Sequence, residues 1–127
     1  MGRPVVHFEI IGGDPEQLRG YYADLFGWEF DTSGQVSEAV SAPTDYGFTP
    51  AGRLPDGTGV PGGVGGGPGY PARAMFYVAV PDVEEALREA ERLGGRRRMG
   101  PATSPAGLVV GHFTDPSGSW VGVAALP

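Results

Sequence analysis

Two stretches decide the fold: His7–Gly27, HFEIIGGDPEQLRGYYADLFG, and Met75–Gly95, MFYVAVPDVEEALREAERLGG. An offset of 68 residues lays one on the other without a gap, with Phe8 on Phe76, Asp14 on Asp82, Glu16 on Glu84, Leu25 on Leu93 and Gly27 on Gly95. Each opens as a strand. Val6, Phe8 and Ile10 alternate with His7 and Glu9, and Ala74, Phe76, Val78 and Val80 alternate with Met75, Tyr77 and Ala79; this period of two turns successive side chains to opposite faces. Each continues as a helix. Asp14 is placed to cap the first, with Pro15 at the first helical position and Gln17 closing a capping box; Asp82 and Glu85 do the same for the second. Leu18, Tyr21, Tyr22, Leu25 and Phe26 predict one apolar stripe, and Val83, Ala86, Leu87 and Ala90 another. Gly27 and the run Leu93–Gly95 end the helices, glycine supplying the left-handed exit.

Outward from these units the signal is weaker. Trp28–Asp31, WEFD, restarts the period of two and is predicted as a strand, as are Tyr46–Thr49 and Val60–Val64 among glycines and prolines. Leu108–Asp115 and Ser119–Ala125 read as two strands joined by DPSG, with Asp115 and Pro116 where a type I turn prefers them. The pattern is an internal repeat of strand-helix-strand-strand-strand units, an α+β fold of two βαβββ modules: module one about 4–66, a connector about 67–72 and module two about 73–126 of a single 127-residue domain. One half alone is too small for a comfortable core, so the halves are expected to pack together.

Composition narrows the function. Gly and Pro make up 36 of the 127 residues, but sixteen of them crowd into Pro43–Ala72, so the flanks have the makings of a core. There is no Cys, which removes disulfides, thiolate nucleophiles and Cys-ligated metals. Fifteen acidic residues against nine Arg and no Lys leave a net charge of −6, a poor match for nucleic acid, whose phosphates need a basic surface. Arg96, Arg97 and Arg98 form the one basic cluster and read as a solvated edge. No apolar run approaches the length of a membrane helix and no leader precedes the first strand, so the chain reads as soluble and cytoplasmic.

The segments VVHFEI, YYADLFGWEF, FYVAVPDVEEALREAERLGG and FTDPSGSWVGV resemble the vicinal oxygen chelate superfamily, the glyoxalase, bleomycin-resistance and extradiol-dioxygenase fold, over essentially the whole chain, and in particular its actinobacterial glyoxalase-like members. The resemblance implies two modules bent into a cup-shaped mixed sheet with helices outside and the ligand inside. It also implies a metal held by residues on the first and last strands of each module. The matching positions here are His7, Met75, Gly122 and the stretch Val60–Gly66, of which only His7 is a metal donor. A thioether suits hard or borderline divalent ions poorly. No metal and no cofactor are therefore expected; a set of His7, Glu9 and His112 is the alternative.

Other motifs carry less. GTGVPG, Gly57–Gly62, has the dinucleotide-loop spacing but contains Pro61 and leads into no helix. GGVGGGPG, Gly62–Gly69, lacks the Lys and hydroxyl of a phosphate loop. A triad of Ser119, His112 and Asp115 fails because Asp115 serves the turn and no G-x-S-x-G elbow is present. The candidate catalytic residues are His7, whose ordinary pKa suits proton transfer, and Glu9 beside it. The candidate ligand-binding residues are Tyr77 and Trp120, which share strand faces with Met75 and Gly122. The expected function is a metal-independent glyoxalase-like protein, homodimeric, binding a small aromatic or cationic organic molecule in antibiotic or metabolite binding or resistance. The alternatives are a glyoxalase-type lyase or isomerase, or a dioxygenase-like enzyme, with a non-standard metal site, and a structural dimer without catalysis.

Overall fold

The computed structural model describes residues 2–50, 52 and 54–126. In chain order the elements are β1 (Val5–Gly12), α1 (Pro15–Phe26), β2 (Gly47–Thr49), β3 (Gly62–Gly66), β4 (Arg73–Ala79), α2 (Val83–Arg92), β5 (Arg96–Thr103), β6 (Val109–Thr114) and β7 (Trp120–Ala125). The expected α+β class is what forms. The chain divides into two compact units, one formed by His7–Ala74, the other by the chain from Met75 onward with the N-terminal segment through Val6.

In the first unit β3 lies between its neighbours, parallel to β1 and antiparallel to β2, and α1 packs on β3. Asp14 caps α1 by accepting from the Gln17 amide at 3.1 Å, and Gly27 closes it at φ 74°. Two expectations are corrected here. Trp28–Asp31 does not form a strand: only Asp31 pairs, in a single bridge to Phe48, while Trp28 joins an aromatic cluster with ring centroids 5.0 Å from Phe8 and 5.5 Å from Tyr22. The alternation in WEFD thus serves ring packing rather than a ladder, and the first module has one strand fewer than the second. The stripe on α1 is also not buried as a whole. None of its residues is fully buried, Pro15 being the one such residue of the helix, and Tyr21, Leu25 and Phe26 stay more than half exposed.

The second unit has the full strand complement, in the order β4-β7-β6-β5, with β4 parallel to β7 and the other pairs antiparallel. Helix α2 covers β5, β6 and β7. Val83, Leu87 and Val123 form its core, with Val80, Val109 and Phe113 against them. Gly111 lets the helix approach, since a Cβ there would stand 2.8 Å from Leu87 and 2.9 Å from Val83. Strand β5 was hidden in the basic run: Arg97 donates to Glu84 of α2 at 2.9 and 2.6 Å, and this bonding holds the Glu84 carboxyl down to about 2. The cluster read as a solvated edge is therefore a strand whose middle arginine ties it to the helix.

Asp82 accepts from the Glu85 amide at 2.9 Å. Replacing it with alanine leaves that helix N-terminus uncapped and should cost about 1 kcal/mol. Urea unfolding of Asp82→Ala against Asp82→Ser reads this: serine restores a cap and should recover most of the loss, and equal loss in both would rule out capping as the cause.

Candidate functional site

The helices settle which strand faces are free. In the first unit Gly12 abuts Leu18 of α1, a Cβ there falling 2.5 Å from the leucine, so the opposite parity of β1, namely His7, Glu9 and Ile11, faces away from the helix. In the second unit Phe113 and Val123 pack toward α2, so His112, Thr114, Trp120 and Gly122 face away from it. The register aligns Tyr77 with Gly122 and Gly122 with His112, which puts Tyr77 on this same face.

On the free face of the first unit the glycine strand β3 becomes intelligible. Glu9 lies opposite Gly63, and the Tyr46 ring lies over that glycine so closely that a Cβ would fall 2.0 to 2.3 Å from its outer ring atoms and hydroxyl. On the other face the Phe8 ring covers Gly62 in the same way, at 2.2 to 2.4 Å. Gly62 and Gly63 carry no side chain because an aromatic ring occupies the space on each face of the strand. Tyr46 crosses Gly63 to donate its hydroxyl to Glu9 Oε1 at 2.9 Å, and His7 Nε2 meets the same hydroxyl at 2.9 Å.

These bonds have a direction. Since the Tyr46 proton is given to Glu9, the phenolic oxygen accepts from His7, which places the imidazole proton on Nε2 and the lone pair on Nδ1. Burial pushes the His7 pKa down from 6.5 to about 4, so the ring is neutral at pH 7 and consistent with that tautomer. His7 is half-buried, while Glu9 and Tyr46 are fully buried. The two candidate catalytic residues are thus joined through Tyr46, which the sequence reading places in a predicted strand but not in this role.

The second unit repeats the device with its parts exchanged. Tyr77, the residue 68 positions beyond Glu9, lies over Gly122, where a Cβ would fall 2.4 Å from the ring. Its hydroxyl crosses β7 to meet His112 Nε2 on β6 at 2.6 Å, and both residues are buried. Trp120 stands edge-on to His112 with centroids 6.0 Å apart and is 38% exposed. Met75 is buried on the same strand face as Tyr77. Of the four ligand-binding candidates the structure brings Tyr77 onto Gly122 and Trp120 beside their partner His112. His112 was a residue whose strand face alternation alone did not assign. The signal that identifies both missing partners is the glycine on the last strand, because a ring fills each vacancy. Asp115 is occupied as the turn reading expected, accepting from the amides of Ser117 and Ser119. A cavity of about 310 Å³ in this unit lies on the helix side, lined by Ala86, Ala90, Phe113 and Val123 among others, and these offer it no chemistry.

A sequence profile described as the Glyoxalase/Bleomycin resistance protein/Dioxygenase superfamily matches residues 5–123. The chain belongs to that superfamily. Among solved structures, a Streptomyces coelicolor methylmalonyl-CoA epimerase variant in complex with 2-nitronate-propionyl-CoA aligns with a TM-score of 0.67 at 14% identity, covering 98% of this chain and 97% of that one. Methylmalonyl-CoA epimerase from Mycobacterium tuberculosis aligns at 0.65 and 12% identity, over 97% and 87%. A hypothetical protein from Bacillus halodurans C-125 aligns at 0.66 and 12%, over 100% and 96%. At such identities the likeness is one of fold. No curated protein matches the sequence.

The metal implied for this glyoxalase-superfamily chain does not fit its residues. The two last-strand positions, Gly63 and Gly122, carry no donor, and the space a donor would use is filled by the Tyr46 and Tyr77 rings. The first-strand position of the second unit is the buried thioether of Met75. Among the described residues no three His, Asp or Glu side chains form a group suited to a metal ion. Nor, among them, is any helix long and apolar enough to cross a membrane.

Proposed function

We propose that this glyoxalase-superfamily protein binds a small organic molecule on the helix-free face of its sheet without a divalent metal. The observation that carries the reading is the pair of glycines at Gly63 and Gly122, each roofed by a tyrosine that bridges to a neighbouring strand. A metal centre polarises its ligand with positive charge; a partly exposed ring held in place by buried partners, His7 on Tyr46 in the first unit or Trp120 beside His112 in the second, recognises it with hydrogen bonds and ring surface instead. Binding of CoA esters by the S. coelicolor epimerase supports a small-molecule ligand for this fold, without naming this chain's own.

A second reading, a lyase or isomerase acting by proton transfer, is favoured by the bond order Glu9, Tyr46, His7. The carboxylate holds the phenol and the phenol holds Nε2, which fixes the imidazole in one orientation for proton transfer. Glu9 and Tyr46 would orient the base rather than touch substrate.

Both readings meet the same test. Purified protein analysed for metals and then melted with Zn, Ni, Mn, Fe or Mg salts should contain no stoichiometric metal and show no shift that His7→Ala abolishes. A metal-dependent rise in melting temperature that disappears in His7→Ala would overturn the reading.

A further inference from the structure

Of the three arginines that open β5, Arg97 is bound by Glu84 and Glu91 on the helix side. Arg98 turns the other way. Its Nε donates to Thr114 Oγ1 at 3.0 Å, and its guanidinium carbon stands 5.8 Å from the Trp120 ring centroid. Thr114 and Trp120 are register partners one step from the partners His112 and Gly122, so this pair lies about 7 Å along the strands from the Tyr77–His112 bond. Arg19, Arg88, Arg92 and Arg97 each hold a carboxylate; among the described residues Arg98 forms no such ion pair. Thr114 engages only Nε, which leaves the two terminal nitrogens, the fork that matches a carboxylate bidentately. In a chain of net charge −6, a guanidinium oriented by a hydroxyl and an indole rather than neutralised by an acid is a pre-organised anion receptor.

We propose that this face takes an organic carboxylate, with the acid group on Arg98 and the apolar body against Trp120. The proposal rests on the small-molecule reading and replaces the cationic alternative of the sequence reading with an anionic ligand. Recognition comes from an exposed arginine and a partly exposed tryptophan.

Benzoate, benzamide and benzamidine present the same ring with negative, zero and positive charge. The chain has two tryptophans, so the indole N–H resonance of Trp120 is identified by its persistence in Trp28→Phe. Benzoate should shift that resonance saturably while benzamide and benzamidine leave it in place. Arg98→Gln should weaken benzoate by about tenfold or more, and Arg98→Lys, which keeps charge but not the fork, by less. If benzamide or benzamidine shifts Trp120 as strongly as benzoate, or Arg98→Gln titrates like the parent, the anion receptor is refuted and small-molecule binding stands. If none of the three moves Trp120, both fail.

Discussion

Gly63→Ala is expected to lower stability by about 3 kcal/mol, a large effect for the addition of one methyl group. The new Cβ would stand 2.0 Å from the Tyr46 ring, with the hydroxyl at 2.3 Å. That ring has no cheap retreat, because Tyr46 is 1% exposed and its hydroxyl is shared by Glu9 and His7. Displacing it adds the loss of both hydrogen bonds of the buried Tyr46 hydroxyl to the strain of overpacking. Urea denaturation of a double-mutant set measures the coupling. In a Tyr46→Phe background, which keeps the ring but has no hydroxyl to lose, Gly63→Ala should cost less by the hydrogen-bond share. In a Tyr46→Ala background most of its cost should vanish. A cost unchanged by removal of the ring would mean that Gly63 is required by its backbone and not by the tyrosine above it.

His7 sets the second large effect. Burial lowers its folded-state pKa from 6.5 to about 4, so as pH falls the unfolded chain takes up the proton first. The associated stability is fully present above pH 6.5, is lost progressively between 6.5 and 4, and changes no further below. Its size is about 3 kcal/mol, the free-energy equivalent of a fall from 6.5 to about 4. Carboxylates titrate in the lower part of the same window, so the quantity to read is the difference between the parent protein and His7→Gln, measured by urea unfolding from pH 7 to pH 4. That difference should fall by about 3 kcal/mol over the window. Parallel curves for the two proteins would mean that His7 is solvated as it is in the unfolded chain, and the neutral tautomer argued for the site would go with them.

Local chemistry was legible wherever it was local. Asp14 and Asp82, the glycine exit at Gly27, the DPSG turn and the alternation that put His7 with Glu9 and Tyr77 with Met75 are relations over a few residues, and the caps, strands and turn form where they were expected. The same alternation read at Trp28–Asp31 misled, because side-chain periodicity does not distinguish a strand that finds a ladder from a segment whose rings pack on Phe8 and Tyr22. Arg96–Arg98 hid a strand for the converse reason: the charge of its middle residue, Arg97, is answered by Glu84 and Glu91, which lie 13 and 6 residues away.

By itself the sequence determined an α+β chain with a repeated strand-helix unit, membership of the glyoxalase-superfamily fold, and the loss of donors at the positions where that fold holds metal, since a glycine or methionine at a ligand position is lost chemistry in any conformation. Only the tertiary structure decided what fills the vacancies. Tyr46 reaches Glu9 across 37 residues and Tyr77 reaches His112 across 35. A hydrogen bond needs a donor and an acceptor within about 3 Å. Strand register, set by long-range pairing, is what brings such distant groups together, and no spacing along the chain records it.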